Sequence, residues 1–564
     1  MTWPRRRSRR VDDVRDSRIT RLLLFLLAAA SVASAETSSD PFLSRKEIVL
    51  PPRSRTIDSV DVTASCGDIG SGRRFAIDGR SADWQGEPTW IAGTGRYDRG
   101  EYVWTDYPYD DDGTGSFQYP GEGEALIAEA GTIGKASPRQ TRYGSNAADV
   151  VEVRVAADDA FVYFLVRLNF LNAVDSTVVG LGLHLDDDPS SGLSSWPLGA
   201  GLATPGIDLF VTAHGPCAMV SDGADGAPID DVGGAAAVGT ADNVLEIALP
   251  RALLGGAERF RLVGGSGLWN PTERGWMKVQ ATPRTAQNAS DQPKGAVTDR
   301  DPEVFNLFFR GDETTAEGCE GSASLREECQ LGTPRAFQST RQHQVLSEQT
   351  SGAYEVALDL ARIDDPADSS DPPLLRRGDE HDFTRVYRSR VATEGVWVVA
   401  NNAAVFLGRY QPYAVTLPAC LEEGDCPWPA GKPPLVVLPH GGGQSHLGSA
   451  PRASIPEGGT DLYGVETAYA ALEAEIAPVS VRPLGRGQRA PWWRGMGEAD
   501  FLEVLEDART RYRTDRERQV TVGASLGGYG TIRLASLYPD LWSGAFGHCP
   551  AEFENSISGR DVGN

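Results

Sequence analysis

Val520-Thr521-Val522-Gly523-Ala524-Ser525-Leu526-Gly527-Gly528 decides how the C-terminal part of this chain is read. β-Branched residues open the stretch and predict a strand over 519–522. The residues that follow predict a helix over 527–537, so the Gly-x-Ser-x-Gly sequence falls where strand gives way to helix. A serine held on so sharp a turn needs small residues two positions to either side, because the backbones approach closely there. The turn lifts the hydroxyl above the sheet edge. The helix behind it points its N-terminus, with N–H groups that no helical carbonyl takes up, toward any anion that develops.

Working outward, Leu435-Val436-Val437-Leu438-Pro439 reads as a short buried strand that runs into His440-Gly441-Gly442-Gly443. A glycine run directly after a strand exposes unhindered backbone N–H groups, which can hold an oxyanion together with the N–H of Leu526. Further strands are expected at 396–407 (a pair), 476–481 and 543–546. Phe501, Leu505, Ala508 and Tyr512 fall on one helical face. Strands alternating with helices predict a mainly parallel sheet with flanking helices.

These residues carry a resemblance. The segment from about 380 to 564 resembles the N-terminal part of an α/β-hydrolase, of the branch that holds secreted esterases and prolyl-oligopeptidase-like peptidases. The matching stretches are His440 to Gly443, Asp507-Ala508-Arg509 through Tyr512-Arg513-Thr514-Asp515, and Gly523-Ala524-Ser525-Leu526-Gly527-Gly528-Tyr529-Gly530. The resemblance implies Ser525 as nucleophile and oxyanion donors among Gly442, Gly443 and the backbone of Leu526. In that fold the acid and the histidine follow the serine in chain order. Here His548 is the sole later histidine, directly after the last expected strand, and reads as a loop or surface residue. Nothing in the sequence positions Asp561 as the acid. The expectation is a C-terminally truncated hydrolase domain over 351–564, impaired because the triad acid and histidine are missing.

Residues 70–310 have a different grammar. Val151, Val153 and Val155 alternate with Glu152 and Arg154, the period-two pattern of a half-buried strand. Phe161 to Leu168 reads as its hairpin partner, and further strands are expected at 178–185, 207–213 and 244–249. Many short strands predict an all-β sandwich. Ile77-Asp78-Gly79-Arg80-Ser81-Ala82-Asp83-Trp84, the hairpin, and Val244-Leu245-Glu246-Ile247-Ala248-Leu249-Pro250-Arg251 together resemble family-nine-type carbohydrate-binding modules and related sugar- or haem-binding sandwiches. That resemblance implies glycan binding on an aromatic surface. Tyr102, Trp104, Tyr107 and Tyr109 are the stacking candidates, although a place in the core is the favoured reading for them. The acidic runs Asp110-Asp111-Asp112-Gly113 and Asp186-Asp187-Asp188 offer oxygen ligands of the kind Ca²⁺ takes, but they read first as solvated loop charge. Residues 311–350 read as a linker. The expected fold is therefore multidomain, an all-β sandwich followed by an incomplete α/β-hydrolase domain.

Residues 1–35 combine an Arg-rich stretch, an apolar run from Leu22 to Ala30 and the small residues Ala33-Ser34-Ala35, the layout of a secretory signal peptide. The apolar run is too short to span a bilayer. A secreted or cell-envelope protein is expected, with no membrane association beyond export. Seven cysteines in such a chain invite disulfides. Cys319 with Cys329, Cys420 with Cys426, and Cys66 with Cys217 are the pairs considered, leaving Cys549 over. No Cys or His spacing matches a zinc site, so neither cofactor nor metal ligands are assigned. With 54 Lys and Arg against 78 Asp and Glu, the net charge of −24 argues against binding to a phosphate backbone, which needs a basic surface. The function expected is an exported carboxylic ester hydrolase acting through Ser525 on a small-molecule ester. A non-catalytic extracellular glycan-binding protein and a prolyl-oligopeptidase-like peptidase acting on peptides are the alternatives.

Overall fold

The computed structural model describes residues 61–108, 126–128, 148–281 (except 172, 187, 223–225 and 278), 304, 306–309, 354–369, 382–391, 408–418, 420, 426–428, 431–441, 446, 476–486, 493–548 and 550. Everything expected of residues 1–35 and 311–350, of the 396–407 strand pair, and of Tyr109, Asp110 to Asp112, Cys319, Cys329, Cys549 and Asp561 lies outside the described residues.

Two antiparallel sheets share one apolar core. The first has seven strands in the order Thr63–Cys66, Ala235–Gly239, Val244–Pro250, Phe161–Leu168, Val150–Ala157, Glu101–Thr105, Thr94–Asp98. The second centres on Arg259–Asn270 and Thr177–His184, with Leu209–His214 and Cys217–Ser221 beyond. Val153, Val155, Phe164, Val166 and Ile247 from the first meet Leu181, Leu183, Val211 and Leu262 from the second, all without solvent exposure. At roughly 2 kcal/mol per fully buried aliphatic side chain, this layer is the main source of stability. Cys66 and Cys217, on strands of different sheets, are joined by a disulfide, and Cys420 is joined to Cys426.

The hairpin forms as its alternation predicts, with Val155 opposite Phe164. Its outer face is not solvated, however. Glu152 and Arg154 are 1% and 6% exposed because the segment 75–92 lies across that face. Arg154 Nη1 donates to the Gly86 carbonyl (2.7 Å) and to Glu101 (3.0 Å), and its Nε donates to Glu152 (2.8 Å). Burial opposes ionisation of Glu152, but the guanidinium groups of Arg154 and Arg167 overcome it and bring the carboxyl down to about 2. The Ile77–Trp84 motif has a structural purpose. Trp84 Nε1 donates to Glu246 (2.8 Å), and the other oxygen of that carboxylate accepts the N–H of Gly79 (2.9 Å). Burial pushes Glu246 up to about 7, against those hydrogen bonds.

The boundary expected at residue 351 is displaced. Glu355–Asp359 pairs antiparallel with Arg259–Asn270, and Leu358, Leu360 and Ile363 are part of the sandwich core. Residues 355–363 therefore pack with the sandwich and not with the strands that follow. Their polar and Pro-rich surroundings gave no sign of this, because the pairing partner lies about a hundred residues earlier.

The described strands after residue 380 form one mixed sheet in the order Asp382–Arg388, Tyr410–Thr416, Val479–Pro483, Leu435–Val437, Gln519–Ala524, Gly544–His548. Leu435–Val437 is parallel to both its neighbours, and Gln519–Ala524 is parallel to Gly544–His548; Tyr410–Thr416 runs against its neighbours. The helices Met496–Arg511 and Leu526–Leu537 make the crossovers that parallel pairing requires. Phe501, Val504, Leu505 and Ala508 on the first pack against Val437, Val479 and Val481. Among the described residues no helix is long and apolar enough to cross a membrane.

The sandwich also touches this sheet. Ala92 N–H donates to the Thr384 carbonyl and Val386 N–H to that of Trp90, each at 2.9 Å. Asn169 Oδ1 accepts the N–H of Tyr410, also at 2.9 Å.

Candidate active site

From Leu435–Val437 the chain moves to Val479–Pro483 on one side, then crosses to Gln519–Ala524 on the other. In open α/β sheets, ligands bind at the carboxyl ends of the strands where the strand order reverses in this way. Two segments emerge there, Pro439–Gly441 and Ser525.

Ser525 is solvent-exposed, with φ 53° and ψ −120° between the strand Gln519–Ala524 and the helix Leu526–Leu537. Residues with side chains rarely adopt that backbone, and holding it costs on the order of 1–3 kcal/mol. The surroundings enforce it. Ser525 N–H donates to the His548 carbonyl (3.0 Å), and the Ser525 carbonyl accepts the N–H of Tyr529 (3.0 Å). A Cβ on Gly523 would meet the Gly527 carbonyl oxygen at 2.4 Å, and one on Gly528 would meet that of His548 at 2.8 Å. A Cβ on Gly527 would lie 2.0 Å from the carbonyl oxygen of Pro439. The glycine spacing thus lets the elbow close on itself and dock against the start of the glycine run.

Leu526, the first residue of the helix, is buried at 4% exposure. Its N–H has no carbonyl four residues back within the helix and points from the positive end of the helix dipole. Gly442 and Gly443 lie outside the described residues. Gly441 is described, and the ring of His440 anchors it. That imidazole is 1% exposed, with Nδ1 2.8 Å from the Gly441 carbonyl oxygen and Nε2 2.9 Å from that of Leu484. A neutral ring donates to one of these oxygens and a protonated ring to both. His446 is buried nearby. Burial, reinforced by His440 and Arg482, brings it down to about 3, so it is neutral at physiological pH.

Two further groups packed against the helix Leu526–Leu537 give no signal of their own in the sequence. The Trp493 indole is fully buried, 5.1 Å from the His440 ring and so close to Gly530 that a Cβ there would meet it at 2.4 Å. The next residue, Arg494, is exposed and donates through Nε (2.9 Å) and Nη2 to the hydroxyl of Tyr529. The Gly530 spacing, just past the elbow, is the local signal that something must approach the helix there; it does not say what. His548 proves to be the last residue of Gly544–His548, half-buried, and its backbone supports Ser525.

The sandwich candidates divide. Tyr102 and Trp104 are core residues, in line with the favoured reading and unavailable for stacking on a sugar. Tyr107 is half-buried and packs beside Val151 and Tyr410. Asp186 and Asp188 are exposed and cap their own loop, accepting from Asp188 N–H and Ser190 N–H respectively.

No family model matches the chain, and no curated protein matches it. Solved structures to which it is similar include three esterases or related serine hydrolases. S-formylglutathione hydrolase from Staphylococcus aureus is 17% identical, with 26% of this chain and 53% of that one covered and a TM-score of 0.18. A ferulic acid esterase is 19% identical, with 28% and 57% covered and a TM-score of 0.19. Enterochelin esterase from Shigella flexneri is 11% identical, with 69% and 70% covered and a TM-score of 0.18. The chain spans little more than half the length of the first solved structures it matches.

Proposed function

We propose that the protein is an exported serine hydrolase of α/β-hydrolase architecture that cleaves small carboxylic esters through Ser525. The strained, exposed serine at a strand-to-helix turn carries this reading, because a costly backbone is kept where it serves chemistry. The strand order supports it, because ligands of open α/β sheets bind at the carboxyl ends of the strands where that order reverses, and Ser525 follows such a strand. The predicted leader and the two disulfides support export.

In the reaction, Ser525 Oγ bonds to the ester carbonyl carbon and loses its proton to a general base, a role assigned to no described residue. The carbonyl electron pair moves onto oxygen, facing the N–H of Leu526 and the glycine run that begins at Gly441. Collapse of this oxyanion breaks the bond to the alkoxide, which takes up the proton. Water then releases the acid and restores the serine. Esters are favoured over amides because an alkoxide departs with less help than an amine, which needs a proton as its bond breaks.

A fluorophosphonate probe tests the reading. The expected result is covalent labelling at Ser525 that disappears in Ser525→Ala. Absence of labelling in the native protein, or persistence in the variant, would overturn the assignment of the nucleophile.

A further inference from the structure

The ring of His440 rests on a turn that the chain does not adopt by preference. Its Nε2 lies 2.9 Å from the carbonyl oxygen of Leu484, the residue after the strand Val479–Pro483. Gly485 and Arg486 follow with φ 64° and 67°. Glycine takes that left-handed backbone freely, whereas an arginine is strained in it and must be held.

Asp500, on the helix Met496–Arg511, holds it. Its Oδ2 accepts the N–H of Gly485 (2.7 Å). Its Oδ1 accepts from the hydroxyl of Tyr387 (2.6 Å) and lies 3.3 Å from Arg486 Nε. One helical turn on, Glu503 accepts from Arg486 Nη2 (3.2 Å) and from Ser389 Oγ (2.6 Å). The side chains of Asp500 and Arg486 are wholly shut off from solvent. Taking a carboxylate out of water is costly, so a helix position that only had to fill space would carry an apolar side chain. Burial pushes Asp500 up to about 6, against the pull of Arg486, Tyr387 and Gly485. At neutral pH it is therefore ionised and accepts from these donors.

The turn matters because of what His440 touches. The other ring nitrogen is 2.8 Å from the Gly441 carbonyl oxygen, which belongs to the planar peptide joining Gly441 to the next amide of the glycine run. The backbone of His440 meets the elbow as well, since a Cβ on Gly527 would stand 2.9 Å from its carbonyl oxygen. Trp493, just before the helix that carries Asp500, packs 5.1 Å from the same ring.

We infer that Asp500 is a positioning residue for the oxyanion site: by fixing the turn at residues 484–486 it orients the His440 ring, and through that ring the peptide that opens the glycine run. This rests on the reading of Ser525 as nucleophile but makes a separate claim, about what aims the amides that face it.

Two measurements test it. In NMR of the native protein with isotope-labelled histidine, the His440 Nε2 proton is expected as a slowly exchanging signal, held by the Leu484 carbonyl. A bare Nε2 would overturn the inference without any variant. In Asp500→Asn that proton should exchange faster. There kcat on ethyl butyrate, counted per site labelled by fluorophosphonate, should fall about ten- to a hundredfold with KM unchanged. A purely structural acid would lower the number of labelled sites and leave kcat per site as it was; that outcome, or unchanged exchange, overturns the role. Tyr387→Phe removes one donor to Asp500 and should give the same changes in smaller measure, so the test stands even where Asp500→Asn does not fold. No change in either measurement in Tyr387→Phe would also overturn the inference. Failed labelling of the native protein counts against Ser525 alone, since the exchange measurement needs no turnover.

Discussion

The helices Met496–Arg511 and Leu526–Leu537 begin on almost the same backbone. Gly495 precedes the first with φ 51° and ψ −112°, and Ser525 precedes the second with φ 53° and ψ −120°. At the first, glycine adopts the conformation without steric cost. At the second, a residue with a Cβ is held there by an elbow of close-packed glycines and by hydrogen bonds on both sides. The same turn is thus built once cheaply and once under strain. The difference teaches that the serine at 525 is not the residue the backbone would choose. Its side chain is what the strain supports, and Ser525 is exposed at the carboxyl end of its strand.

Three substitutions can break or sharpen this comparison. The largest effect is expected for Gly527→Ala. Its methyl group would be driven against the carbonyl oxygen of Pro439, 2.0 Å away, where backbone and not a flexible side chain must give. A loss of about 3 kcal/mol in denaturant unfolding is expected, together with loss of probe labelling. Gly495→Ala comes next. Nothing lies within 4 Å of a Cβ there, so only backbone strain opposes it, and a loss of about 1–2 kcal/mol is expected with labelling retained. A cost as large as that of Gly527→Ala would mean that the two turns are not held by different forces. The smallest is Ser525→Gly, for which we expect a gain of about 1 kcal/mol. Relief of the strained backbone should exceed the roughly 0.5–1 kcal/mol that glycine adds to the entropy lost on folding. A clear destabilisation would show that the serine sits in its backbone without strain, and the comparison with Gly495 would fail.

The two halves of the chain differ in how openly the sequence declares them. The elbow is legible because its requirements are local. Three glycines and a serine at fixed spacing, with strand formers before and helix formers after, leave one geometry in which the backbones fit. The hairpin of residues 150–168 is legible for the same reason, since alternation and a turn specify it within a short span. The burial of Glu152 and Arg154 is not. Their alternation with valines marks a wet face, and only the segment 75–92, drawn across it by Glu246, Glu101 and Arg154, makes that face dry. Nor does the sequence assign residues 355–363 to the sandwich, because their partner strand lies far back in the chain. Trp493 and Arg494 were missed on the same ground. Each is an unremarkable residue until the helix at Gly530 and the hydroxyl of Tyr529 are brought against it.

By itself, then, the sequence determined the turn at Ser525, the alternation of the sandwich strands and the acidic balance of the chain, because each is a property of neighbouring residues or of a sum. Tertiary structure alone decided which strands neighbour one another, which charged residues are dry, and which arginine meets Tyr529 on the elbow helix. Those outcomes depend on contacts between segments tens to hundreds of residues apart, and what selects them is the burial of apolar surface and the pairing of backbone groups across the whole chain.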